Sequence, residues 1–246
     1  MLRAYHPYPI KPDTAELTLD GDESRHLRKS LRAREGEAIE VFDGKGRRRT
    51  GTVGVCDQFG MRVTVTDSVL VPPPAISLTL AQVLPKGGLF DDLLRIAVEL
   101  GAGKIIPLTS ERCEVKLDAD RAESKAERWN TLLIEAVKQS GNPWLPALAP
   151  VQKLATWLPK AAPSGTLALT ASLESDATPL AKLALTSPAP TEIVVLIGPE
   201  GDLSPAEYAA SRKAGFVPVR LGAHVLRAET AALYALAGAD LLRQRG

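Results

Sequence analysis

Two kinds of apolar pattern follow one another along the chain. Up to about residue 70 the apolar positions alternate in short runs rich in Val and Thr: EAIEVFDG (37–44), RRRTGTVGV (47–55) and MRVTVTDSVLV (61–71). Such runs predict strands, and Asp43-Gly44 predicts a hairpin turn. One short helix is predicted among them, ESRHLRKSLRA (23–33), with Ser24 or Asp22 as N-cap and Leu27 and Leu31 spaced i, i+4. Val71 to Ala75 reads Val-Pro-Pro-Pro-Ala, a stiff connector that marks a boundary. The expected domains are a small β-barrel over 1–71 and a second domain over 75–246. Beyond the prolines, compact strand runs (ISLTLAQVL, KIIPL, TLALTA, TEIVVLIG, FVPVRLG) alternate with helical ones (FDDLLRIAVELG, DRAESKAERWNTLLIEAVKQSG, SPAEYAASRKAG, LRAETAALYALAGADLLRQ). That alternation predicts an α/β domain with a parallel sheet. Ser204, Pro205 and Glu207 predict a capping box at the start of one helix.

Composition adds little: 45% of residues are apolar and 24% charged, as in ordinary globular chains. The start, MLRAYHPYPIKPD, has no secretory pattern, and Cys56 and Cys113 form no CxxC pair; both points suggest a reducing, cytoplasmic setting. His6, His26 and His224 are scattered, so no metal is expected. Charge changes the picture more. The net value is +1, but residues 25–49 hold nine Lys/Arg against four acids. A locally basic region on a near-neutral chain suits a polyanion, although taken alone it reads more readily as a solvated, charge-rich surface.

The usual nucleotide signatures fail. Gly101-Ala102-Gly103-Lys104 lies between a helix and a strand, the reverse of a phosphate loop, and position 98 is valine. No strand is followed by G-x-G-x-x-G, and no G-x-S-x-G offers a nucleophile. Two loops after late strands remain: Ile197 to Asp202, reading IGPEGD, and Leu221 to Ala231, reading LGAHVLRAETA. Ligands of open α/β sheets bind beyond the carboxyl ends of strands. Glycines there admit a ligand close to the backbone. Neither loop gathers several positive charges, so an adenosine-like group without a polyphosphate fits better, and Glu200 and Glu229 favour a cationic one. Both loops read equally well as ordinary capped turns.

The blocks VVLIGPEGDLSPAE and VRLGAHVLRAETAALYAL resemble the signature of SPOUT-class RNA methyltransferases, and more narrowly of the ribosomal RNA small subunit methyltransferase E family. The similarity extends through HLRKSLRAREGEAIEVFDGKG, LAQVLPKGG, VELGAGKIIPLTSERC and RWNTLLIEAVKQSG, in order, over nearly the whole chain. It implies a PUA-like β-barrel followed by a trefoil-knotted α/β domain, a rare exception to unknotted folds. It implies S-adenosylmethionine as cofactor and N3 of a uridine in 16S ribosomal RNA as methyl acceptor. It also implies a homodimer through the knotted domain, with no membrane or metal involved.

Carried over by position, the cofactor loops would be Leu196, Ile197, Gly198, Pro199, Glu200 and Gly201, then Leu221, Gly222, Val225, Leu226, Arg227, Thr230 and Ala231. Leu169 and Thr170 would add a contact. Arg227, Glu229 and Glu200 would be the catalytic candidates, Arg227 as stabilising cation or as a salt-bridge partner of Glu229. RNA would be held by Arg3, His26, Arg28, Lys29, Arg32 and the cluster from Lys45 through Arg47 and Arg48 to Arg49, with Lys86, Arg112 and Gln139 at the cleft. Small residues of the last helix (Ala228, Ala231, Ala232, Ala235, Gly238, Ala239) suit either a subunit interface or the chain's own core. Ile96, Asn142 and Asp202 depart from the family pattern, Asp202 standing where a glycine is usual. These departures also admit a knotted RNA-binding or assembly factor with weakened catalysis, or an enzyme acting on another RNA position.

Overall fold

The computed structural model describes residues 1–115, 119–185 and 188–244. The chain divides into two compact units, 1–73 with 134–145, and 74–133 with 146–246. Residues 134–145, placed by the sequence pattern in the second domain, thus pack with the first.

The first unit contains β1 (Leu2–Tyr5), β2 (Glu16–Leu19), α1 (Gly21–Lys29), β3 (Ala38–Phe42), β4 (Arg47–Asp57) and β5 (Gly60–Leu70). They form one sheet in the order β1-β3-β4-β5-β2. β1 pairs parallel to β3 and the other pairs are antiparallel. The β3–β4 hairpin falls at Asp43-Gly44 as the sequence predicts, and Gly44 and Gly46 both hold positive φ. Register shifts at Thr50/Gly51 and Val53/Cys56 bend β4. Inward positions Ile39, Val41, Val53, Met61 and Val63 make the core with Ala4, Leu17, Leu19 and Leu27. α1 differs from its expected form. Its N-cap is Asp20, whose Oδ1 accepts the amides of Asp22 and Glu23. Ser24 instead sits inside the helix, where its buried hydroxyl donates to Leu19 O and accepts from Met61 N. The helix stops at Lys29, so Leu31 leaves the apolar face and is exposed.

The second unit contains β6 (Ser77–Val83), α2 (Leu89–Glu99), β7 (Lys104–Thr109), α3 (Ala119–Ser140, whose last turns belong to the first unit), β8 (Ala147–Leu148), β9 (Gln152–Lys153), α4 (Leu154–Trp157), β10 (Thr166–Ala171), β11 (Thr178–Pro179), β12 (Glu192–Ile197), α5 (Pro205–Lys213), β13 (Val217–Arg220) and α6 (Ala228–Arg243). The sheet runs β11-β13-β10-β12-β6-β7-β8, with β9 also on β7, and every pair is parallel. Strands buried on both faces explain the continuous apolar runs. One face is covered by α4 and α5, through Leu154, Trp157, Tyr208 and Phe216 against Ala81, Val83, Ala168, Val194 and Leu196. α2 and α6 lie together, with α6 against β12 and β6.

The small residues of α6 answer one open alternative. Ala228, Ala232, Ala235 and Ala239 are buried within this chain, and a Cβ on Gly238 would lie 2.5 Å from Leu180 Cδ2. They serve the chain's own core, while Leu233, Tyr234 and Leu241 remain exposed. Among the described residues, no helix is long and apolar enough to cross a membrane.

Candidate functional site

The sheet order decides where the site forms. β10 lies between β13 and β12, so three adjacent parallel strands end side by side. Beyond their carboxyl ends is a cavity of about 300 Å³. Its walls are the β10 end (Ala171, Ser172, Leu173), the β12 loop (Ile197, Gly198, Pro199, Glu200, Asp202) and the β13 loop into α6 (Arg220, Leu221, Gly222, His224, Val225, Leu226, Arg227, Ala228, Ala231).

Most of the expected cofactor positions therefore meet in one place. Five do not line it. Leu169 and Leu196 are buried core residues, Gly201 faces Arg112, and Thr170 and Thr230 stand outside the walls. The β10 residues on the wall are Ala171 to Leu173, one to three positions beyond Thr170, where the strand ends. Thr170 has its hydroxyl oxygen buried with no protein partner, which fits a polar group at this strand end. Ala171, Ser172, Leu173 and Arg220 were missed, whereas Asp202, His224 and Ala228 lie inside the two loops singled out from the sequence. Arg220 adjoins Leu221 and was legible by adjacency; the β10 residues were not, because only strand order brings them in.

The β12 loop is held from several sides. Gln82 Nε2 donates to Gly198 O at 3.5 Å, and Glu200 Oε1 accepts the Lys86 amide at 2.9 Å. The Arg112 guanidinium donates to Gly201 O and Leu203 O at 3.1 and 3.3 Å. Asp202 adopts φ 61, a left-handed conformation costly for residues with a Cβ but tolerated by Asp. Its Oδ1 accepts the Leu203 amide at 2.8 Å and the Tyr208 hydroxyl at 2.6 Å. Burial first, then Asp202, push the Tyr208 hydroxyl above the ordinary tyrosine value. The capping box at α5 is complete: Ser204 and Glu207 exchange hydrogen bonds, and Glu207 Oε1 also accepts the Glu111 amide at 2.9 Å. A buried carboxylate with amide donors on both oxygens is a fixed part.

The β13 loop is free by comparison. Among the described residues, Gly222 to Leu226 take part in no loop or turn backbone hydrogen bond. Val225 is 76% exposed. A Cβ on Gly222 would meet nothing within 4 Å. Arg227 is the N-cap of α6 without a side-chain cap bond. No ion pair between Arg227 and Glu229 occurs among the described residues, and Glu229 lies on the first turn of α6, off the cavity wall. The walls carry one more cation than the two loops suggest, since Arg220 joins Arg227 in a lining that also holds His224, Glu200 and Asp202. An apolar cavity with acids on one wall and cations on another suits a nucleoside-sized ligand carrying charges of both signs.

The expected RNA contacts divide. In the second unit, Arg112 holds the β12 loop and Lys86 Nζ pairs with Glu114 at 2.7 Å. In the first unit, Arg49 is buried and donates to Pro12 O and Thr14 O, so it cannot reach a ligand. Arg3 donates to the carbonyls of Lys138 and Gln139 and pairs with Glu40 at 3.3 Å, and Arg48 also approaches Glu40. Arg47 donates to Ser68. Arg28, Lys29, Arg32 and Lys45 are exposed. His26 and the Gln139 side chain line a shallow hollow with Arg3. Among the described residues, no group of three His, Cys, Asp or Glu could hold a metal.

Comparison with known proteins accords with this geometry. A family model described as an RNA methyltransferase domain matches residues 72–239, and one described as an RNA methyltransferase PUA domain matches residues 19–55. The chain is similar to ribosomal RNA small subunit methyltransferase E of Synechocystis (34% identity over 93% of this chain and 74% of that protein). The same-named protein of Mycobacterium bovis shares 32% identity over 95% and 90%. Among solved structures, ribosomal RNA small subunit methyltransferase E of Neisseria gonorrhoeae bound to S-adenosyl methionine superposes with a TM-score of 0.87, 32% identity and 98% of both chains covered. A protein of Legionella pneumophila in complex with the same cofactor gives 0.86 and 28%, over 100% of this chain and 98% of that one.

Proposed function

The chain belongs to the ribosomal RNA small subunit methyltransferase E family, and on that premise we propose that it methylates N3 of a uridine in 16S ribosomal RNA using S-adenosylmethionine. The observation that carries this reading is the cavity beyond β10, β12 and β13, with its two glycine-bearing loops and a chain-wide match to a cofactor-bound relative. When bound, the cofactor supplies a methyl group activated on a sulfonium. The residues named at the cavity would hold it: Gly198 and Gly222 allow close backbone approach, and Ala171, Ile197, Leu221, Leu226 and Ala231 supply apolar contact. Glu200 and Asp202 would face its positive groups, Arg220 and His224 its carboxylate, and Arg227 the incoming RNA.

The chemistry left to the protein is mainly positioning. Uridine N3 carries a proton and attacks poorly until that proton passes to a base or to solvent water, so negative charge develops on the ring. Arg227, exposed at the cavity rim with no acid paired to it among the described residues, stabilises that charge. Glu200 is oriented by the Lys86 amide and structures the loop. Glu229 is placed to favour the α6 N-terminus. N3 lies on the pairing edge, so the target uridine is unpaired or flipped when it reacts. Threading of the chain as a trefoil knot and pairing of two copies belong to the same reading. The exposed Leu233, Tyr234 and Leu241 on α6 support the pairing.

The test is nucleoside mass spectrometry of ribosomal RNA from cells lacking the protein. N3-methyluridine should disappear from 16S RNA and return on complementation; its persistence would show that the acceptor is wrong. Calorimetry with S-adenosylmethionine checks the cofactor independently, and absence of binding would overturn the enzyme reading.

A further inference from the structure

The turn joining β4 to β5 carries a feature that methyl transfer does not use. Phe59, at its tip, is 74% exposed. Burying such a ring would stabilise the fold by about 1.5–3 kcal/mol, so folding alone does not account for it. The tip is also firmly held. Asp57 Oδ1 accepts the Phe59 amide at 2.8 Å, and Asp57 Oδ2 accepts from Arg62 at 2.8 Å. Gly60 has φ +135, and a Cβ there would lie 2.0 Å from Leu19 O. A mobile turn would need neither device.

The same turn forms one wall of a cleft of about 370 Å³, and α1 forms the other with Arg25, Arg28 and Lys29. The only acid on its walls, Asp57, is already engaged by Arg62. Arg25 pairs with Asp22, both side chains being open to solvent, which is a weak hold. Arg28 approaches only the Cys56 sulfur, at 3.8 Å. The turn's backbone is held and its residues Gln58 and Gly60 line the cleft, so the exposed ring of Phe59 stands one position from walls that carry three cations, which matches what single-stranded RNA offers: a π-face on each unpaired base and a phosphate between bases. A duplex would hide its base faces in the stack.

We propose that this tip and cleft form a single-stranded RNA subsite, in which Phe59 stacks one unpaired base and Arg25, Arg28 and Lys29 hold the adjoining phosphates. The inference rests on the reading that the chain acts on RNA. It is tested by fluorescence anisotropy on the full chain, with oligouridylate and its duplex with oligoadenylate as probes over a range of salt. Phe59→Ala should weaken oligouridylate binding roughly 5- to 150-fold, the equivalent of about 1–3 kcal/mol, with the salt slope and duplex binding unchanged. Phe59→Tyr should restore it. Arg28→Ala and Lys29→Ala should each lower the salt slope by about 0.7. Unchanged oligouridylate binding by Phe59→Ala, equal losses on both probes, or no RNA binding by the unaltered chain would overturn the subsite. Calorimetric binding of S-adenosylmethionine should be equal in Phe59→Ala and the unaltered chain. Its absence from the unaltered chain would strike the proposed function instead.

Discussion

The two loops that face each other across the cavity are built on opposite terms. The β12 loop is fastened by Gln82, the Lys86 amide, Arg112 and Tyr208, and runs into a fully satisfied capping box. The β13 loop has no such fastening among the described residues and exposes His224, Val225 and Arg227. One wall is set by contacts within the chain; the other makes few such contacts among the described residues. Preorganising one side lowers the ordering cost of binding, while the loose side gives access.

The comparison can be broken from either side. The largest effect should come from the loose wall. Arg227→Ala should lower single-turnover methyl transfer by about 100- to 1,000-fold, the range for removing one charge-stabilising group, with thermal stability and cofactor affinity little changed. Equal loss of cofactor affinity would make Arg227 a binding residue instead. On the fastened wall, Arg112→Ala removes two charged hydrogen bonds and should cost about 2 kcal/mol of stability. Denaturant unfolding reads this, and a looser loop should raise the KM for cofactor. Third, Gly222→Val should leave stability unaltered, because its Cβ enters open space. It should nevertheless weaken calorimetric cofactor affinity by about tenfold, since a side chain there occupies ligand volume.

The smallest effect concerns Asp202 and Tyr208. Asp202→Gly relieves a left-handed strain of about 1 kcal/mol but loses two hydrogen bonds, from the Leu203 amide and the Tyr208 hydroxyl, worth about 2 kcal/mol together, so stability should fall by only about 1 kcal/mol. The pair's signature is pH dependence. The folded pKa of Tyr208 is raised, so folding favours the protonated hydroxyl. That contribution is fully present below the unfolded tyrosine value of about 10 and is lost as pH rises through the folded value. Alkaline melting curves should therefore fall more steeply for the unaltered chain than for Tyr208→Phe. Parallel curves would mean that the hydroxyl titrates as it does in the unfolded chain.

Much of this was legible along the chain. The capping box at Ser204, the hairpin at Asp43-Gly44 and the break at Val71 to Ala75 rest on local chemistry, which is written in adjacent residues. The two glycine-bearing loops were legible as candidate ligand loops because glycines beyond the carboxyl end of a strand admit a ligand close to the backbone. The errors share one cause. Ser24 looked like a cap and proved a buried linker between Leu19 and Met61; Arg49, expected at an RNA-facing surface, is buried and holds the carbonyls of Pro12 and Thr14. A polar side chain's partner is fixed by what folding brings next to it, and local patterns do not record that.

By itself, then, the sequence determined most of the strands and helices (all but β1, β2, β8, β9, β11 and α4), the alternation that demands a parallel sheet, and the two glycine-bearing loops. Only the tertiary structure decided that β10 inserts between β12 and β13 and adds Ala171 to Leu173 as a third wall. The physical reason is that the backbone ladder between parallel strands is the same for every neighbour. Strand order is chosen by how the helices cover both faces, which involves residues more than a hundred positions apart.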